Sequence, residues 1–245
     1  MSMHRARQTD RKPRAARWAV PAILLALALA TPLQALGAEP SRSDPVDTFA
    51  GQTRQAVSIN LHRSSAMVKQ YTNVWCVPAA TQSMVNLVRG TSNRTYATQS
   101  FMYKKTRQNN QYAYATLGND PVGWAWAATY FSRGEASYTA RAYASRTDAI
   151  AEIAGSLLRT RHPVGVTVRR GTHAWVVLGF KGDMLPGDPD SLRVFGFYVS
   201  GPLGSPTDPW SVKYMSVATF NNSYTKYHEW QRPVPWEGKY VVISD

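Results

Sequence analysis

The sequence predicts an α+β domain. Apolar residues recur at three- and four-residue spacing through much of the first half, apolar–polar alternation dominates after residue 162, and Gly or Pro marks most boundaries. Helices first and strands afterwards imply helices packed against an antiparallel sheet. Neither an internal repeat nor a second domain is visible.

The first 38 residues stand apart. Residues 1–17 are polar and basic, 18–30 are nearly all apolar, and Ala35-Leu36-Gly37-Ala38 offers small residues for cleavage. That order describes a secretory signal peptide. The apolar run falls short of the roughly 20 residues a spanning helix needs, so a retained anchor is the weaker reading. The expectation is a secreted or cell-envelope protein with no stable membrane insertion after cleavage. Residues 39–63 then read as a lead-in or short pro-segment, and 64–245 as the domain.

Within that chain, residues 56–61 alternate as a strand. Ala80, Met84, Leu87 and Val88 mark a helix, with Asn73 as candidate cap, Pro78 in the first turn and Gly90 as the stop. Helical patterning continues over 96–105. Asp120-Pro121, a cap followed by a favoured first-turn proline, opens a third helix through Trp124, Ala127, Ala128 and Phe131 to Gly134. Its aromatics read as core. Residues 137–144 alternate, and a fourth helix capped by Thr147 or Asp148 runs to His162-Pro163. Strands follow at 164–168, 172–180 and 192–199, the last two separated by the turn-rich 181–190; a short helix after Ser216 and a strand at 239–243 close the domain.

Composition narrows function. A chain with 44% hydrophobic residues, eight Trp and thirteen Tyr is globular rather than disordered. Residues 1–38 carry six of the 28 basic and one of the 15 acidic residues, which leaves the mature chain at +8. The cations are scattered and no recognition motif accompanies them, so nucleic acid is not the expected partner. An anionic envelope or acidic extracellular partner suits this charge better. With one cysteine and dispersed histidines, neither metal nor cofactor is expected.

Cys76, the only cysteine, cannot form an intrachain disulfide. It sits where a helix begins, and unpaired N–H groups with the helix dipole favour thiolate there. A buried, inert thiol is the alternative. A nucleophile needs a base from another element. Of five histidines, His4 lies in the signal, His62 beside Arg63, His162 before a proline and His228 in a polar stretch; His173 opens an apolar strand, THAWVVLGF. Taken alone, His173 is equally a core or edge residue. Paired with the lone cysteine, it becomes the candidate base.

Gln70, Trp75-Cys76-Val77-Pro78-Ala79-Ala80 and His173-Ala174-Trp175-Val176-Val177 together resemble the papain-like cysteine peptidases, in particular the C39-like branch. The resemblance covers roughly residues 64–227. It implies a papain-like fold, with an N-terminal helical half carrying Cys and a C-terminal antiparallel β half carrying His. It also implies an oxyanion donor at Gln70, six residues before the nucleophile. The family's Asp-Pro pair, whose carboxylate orients the histidine, has no match at Ser200-Gly201-Pro202; Asp208-Pro209-Trp210 has the form and is assigned that role. A loop aspartate before a turn is the other reading of Asp208. The expected activity is a thiol-dependent peptidase or amidase, a monomer acting on peptide or protein through an acyl-thioenzyme. A transglutaminase-like acyltransferase and a degenerate domain that binds peptide or cell-wall material are the alternatives.

Overall fold

The computed structural model describes residues 52–112, 118–204, 212–229 and 232–245. Strand β1 (Gln55–Asn60) precedes three helices, α1 (Cys76–Val88), α2 (Tyr96–Gln108) and α3 (Pro121–Ser132). Strand β2 (Thr139–Tyr143) and helix α4 (Arg146–Thr160) lead into β3 (Val164–Val168), β4 (His173–Leu185) and β5 (Asp188–Ser200). The chain then forms β6 (Lys213–Ser216), α5 (Val217–Ser223) and β7 (Tyr240–Ser244). The α+β expectation holds.

One antiparallel sheet runs β2-β7-β3-β4-β5-β6, with β1 paired to the distal half of β4. Alternation along its central strands divides the interior. Ala174, Val176 and Leu178 of β4 meet Val77, Ala80, Met84 and Trp124 from the first three helices. Trp175 and Val177 face the other way, with Val164, Val166 and Val168, onto Ile153, Leu157 and Phe220 of α4 and α5. A register shift between Val177 and Gly179 then brings Phe180, rather than Gly179, onto this second face.

Local chemistry explains the helix limits. The Asp120 carboxylate accepts from Gly123 N at 2.6 Å and from Tyr112 N at 2.7 Å, so it caps α3 and ties down the preceding loop. Burial nonetheless pushes this carboxyl above its usual range. Helix α4 starts earlier than expected because Ser145, not Thr147 or Asp148, accepts from Asp148 N. Trp75, not Asn73, occupies the α1 cap position, and no side chain caps that end.

The segment expected as turn-rich is mostly strand. β4 and β5 extend through it, and only Pro186 and Gly187 remain between them. Arg193 and Arg54 hold this hairpin: both Asp183 oxygens accept from Arg193 at 2.8 Å, and Arg54 Nε donates to Asp183 Oδ1 at 2.6 Å. Arg54 also donates to the carbonyls of Asp183 and Ser191. Strand β6 has no sequence signal beyond four residues and was not expected.

Two predictions follow from this packing. Hydrogen bonds from Arg193, then Arg54, lower the Asp183 pKa from 3.8 to about 2. The stabilisation is therefore complete above the ordinary carboxylate range and is lost as pH falls through about 2. In melting curves recorded from pH 5 to pH 2, Asp183→Asn should be less stable at the upper end and lose less stability on acidification; parallel curves would contradict this. At Gly165, an added Cβ would lie 2.6 Å from Trp124 Cζ2. Gly165→Val should cost on the order of 1–3 kcal/mol in denaturant unfolding by displacing the indole.

Candidate active site

Cys76 is the first residue of α1 and is partly buried against the helix–sheet core. Its position follows from the sequence after it: Val77, Pro78, Ala79 and Ala80 are all buried, which fixes the first turn against the sheet. The first α-helical bond at this end joins Ala79 N to Trp75 O at 3.0 Å, so the N–H groups ahead of it point out of the helix end.

His173 is the first residue of β4, opposite Val168, and only 8% exposed. Ahead of it, Arg169, Arg170 and Gly171 all have positive φ, at 52°, 62° and 86°. Two arginines in this region carry backbone strain, which neighbouring bonds offset. Arg170 N donates to Thr225 Oγ1 at 2.8 Å, its carbonyl accepts from His228 N at 3.1 Å, and Thr172 Oγ1 donates to Arg169 O at 2.7 Å. The Tyr227 ring packs so closely on Gly171 that a Cβ there would overlap it. The turn before His173 is thus clamped by the segment after α5.

Cys76 and His173 line one cleft of about 300 Å³. Asn73 and Val74 border it on the Cys side, Asn119 and Trp124 at α3, and His228 and Glu229 on the segment after α5. Four polar atoms of lining residues are buried without a hydrogen-bond partner: both amide atoms of Asn119, Thr167 Oγ1 and Trp124 Nε1. Buried polar atoms of this kind are satisfied by water or by a polar ligand.

Gln70 borders a separate depression with Lys69, Tyr71 and Arg94. Its Nε2 donates to Thr72 O at 2.8 Å, and its backbone N–H donates to Pro202 O at 2.9 Å. Gln70 is not among the residues that line the cleft with Cys76. Asp208 lies outside the described residues. In the observed register Ser200 stands opposite Val176, so β5 ends before reaching the level of His173.

His228 is the residue that sequence reasoning missed. Its Nδ1 lies 2.8 Å from Glu237 Oε1, and Glu229 N donates to Glu237 Oε2 at 2.6 Å. These bonds, His228 first, hold the Glu237 carboxyl below its usual range. The available signal was a His and a Glu on either side of the proline-rich stretch 233–236, a pattern that folds a chain back on itself. The other described histidines do not line the cleft: His162 Nδ1 pairs with Asp245 at 2.6 Å, and burial lowers the pKa of His62.

A thiol at a helix start and an imidazole from a strand line one small cleft, the two groups that thiol chemistry requires. Among the described residues no group of three His, Cys, Asp or Glu is placed to hold a metal, and no helix is long and apolar enough to cross a membrane. No curated protein and no solved structure matches the chain. Residues 63–231, which include Cys76 and His173, match the Peptidase_C39 like family. With its helical and antiparallel halves in the papain-like order, the chain belongs to the C39-like peptidase family.

Proposed function

We propose that the protein is an exported thiol-dependent peptidase or amidase. The observation that carries this reading is that Cys76, from the start of α1, and His173, from the start of β4, line one cleft. His173 takes the thiol proton, and Cys76 Sγ adds to the carbonyl carbon of the scissile amide. The imidazolium then protonates the leaving amine, and an acyl-thioenzyme remains. Water hydrolyses that thioester to a carboxylic acid and restores the thiol. The Cys76 backbone N–H, at the open helix end, stabilises the oxyanion. Gln70 joins it only after its amide leaves Thr72 O. Asp208 is proposed to orient His173. Export rests on the signal-like residues 1–38.

Iodoacetamide tests the pair. Wild-type Cys76 should be labelled rapidly, and His173→Ala should slow this at least tenfold. Slow labelling equal in both proteins would favour a binding domain without turnover. A second measurement tests Gln70: with p-nitrophenyl acetate, Gln70→Ala should lower the acylation rate by about 10²-fold if its amide reaches the oxyanion. A change under threefold would remove Gln70 from the mechanism and leave the role to backbone and Asn73.

A further inference from the structure

The cleft contains two imidazoles, and acylation as written uses only one. His173 comes from the sheet, whereas His228 comes from the segment between α5 and β7, on the side of the cleft that also bears Glu229. We propose that His228, held by Glu237, is a second base of this cleft, which activates the acyl acceptor in the second half-reaction. The proposal rests on Cys76 being the nucleophile.

The geometry supplies what a base requires. A carboxylate only accepts hydrogen bonds, so the 2.8 Å contact with Glu237 Oε1 places a hydrogen on His228 Nδ1. In the neutral ring the basic lone pair then resides on Nε2. Glu237 is itself fixed, since its second oxygen accepts from Glu229 N. The loop carrying the pair is closed by Tyr227 N to Lys239 O at 2.8 Å and Gly238 N to Tyr227 O at 3.0 Å. His228 N to Arg170 O, at 3.1 Å, then joins it to the turn that precedes His173. A base oriented by a third group is the arrangement that activates nucleophiles in hydrolases. Glu237 lies beyond residue 231, where the family match ends, so the pair combines a position inside the match with one outside it.

The charges around the imidazole define the acceptor. Glu237 and Glu229 are on its own segment, Arg170 acts on Glu237 from the turn, and Cys76 and His173 line the same cleft. Residues 118, 119, 121 and 124 at α3 and Thr167 of β3 add no charge. Two carboxylates disfavour an anionic acceptor and suit water or a primary amine. In the hydrolytic case, water loses a proton to His228 Nε2 as its oxygen bonds to the acyl carbon. The C–S bond breaks and its electron pair returns to Cys76 as thiolate. The product departs as a carboxylic acid and ionises, while the proton on His228 passes through cleft solvent to His173. With an amine, nitrogen takes the place of the water oxygen and an amide leaves.

Burst kinetics with p-nitrophenyl acetate, with and without methylamine, separate the two half-reactions. His228→Gln should lower deacylation at least tenfold more than acylation and suppress capture by methylamine. Glu237→Gln, which keeps a hydrogen-bonding side chain but removes the charge, should show the same split to a smaller extent. Thermal melts of both variants identify any loss that comes from unfolding; Glu237→Gln decides the matter if His228→Gln does not fold. Deacylation that is unchanged, or that falls in step with acylation, overturns the second base and leaves the Cys76 reading intact. A wild-type protein that neither hydrolyses the ester nor is acylated at Cys76 overturns both.

Discussion

Strand β4 is the constraint on which the rest depends. Its first half pairs with β3, its second half with β1, and its other edge with β5, so three strands hold it along its length. Its two faces supply both interiors, Val176 to the helical side and Val177 to the α4 side. Its first residue is His173. A one-residue slip would exchange the two faces and unpack both cores, so the register that fills the interior also fixes the imidazole.

Cys76 depends on the same strand from the opposite direction. Helix α1 lays Val77, Ala80 and Met84 on the β4 face that carries Ala174 and Val176. Cys76 and His173 are thus positioned by one packed interface between α1 and β4. The segment containing Tyr227 and His228 clamps the left-handed turn before β4 and completes the cleft wall. Strain at Arg169 and Arg170 persists because this segment holds both of its ends.

Much of this was legible in the sequence where one physical signal dominated. Helix α3 announces itself by Asp120 and Pro121, and β3 begins and ends as its apolar run does. Cys76 and His173 stand out because each is an unusual residue at the start of a strongly patterned element. The hairpin tip was misread, since Gly and Pro are turn formers locally while cross-strand bonds and the Arg54–Asp183–Arg193 cluster extend the strands past them. His228 was hidden for a different reason: its importance comes from a loop folding back through nonlocal contacts, and no periodicity marks such a loop. Gln70 shows the converse, where the spacing to the cysteine is suggestive but the nearby Thr72 carbonyl captures the amide.

The pairing of β1 with β4 sets a boundary on how far the chain can be trimmed. Residues 55–60 cover the edge of β4 from Gly179 to Met184, and Arg54 ties the strand to the hairpin just ahead of it. Proteolysis on the N-terminal side of Arg54 leaves the sheet closed. A cut after it removes the guanidinium from Asp183, and loss of the strand bares a row of backbone N–H and C=O groups along β4, an edge that can pair with other chains. The hydrogen bonds of a single short strand therefore mark the point past which shortening the N-terminus exposes an adhesive edge.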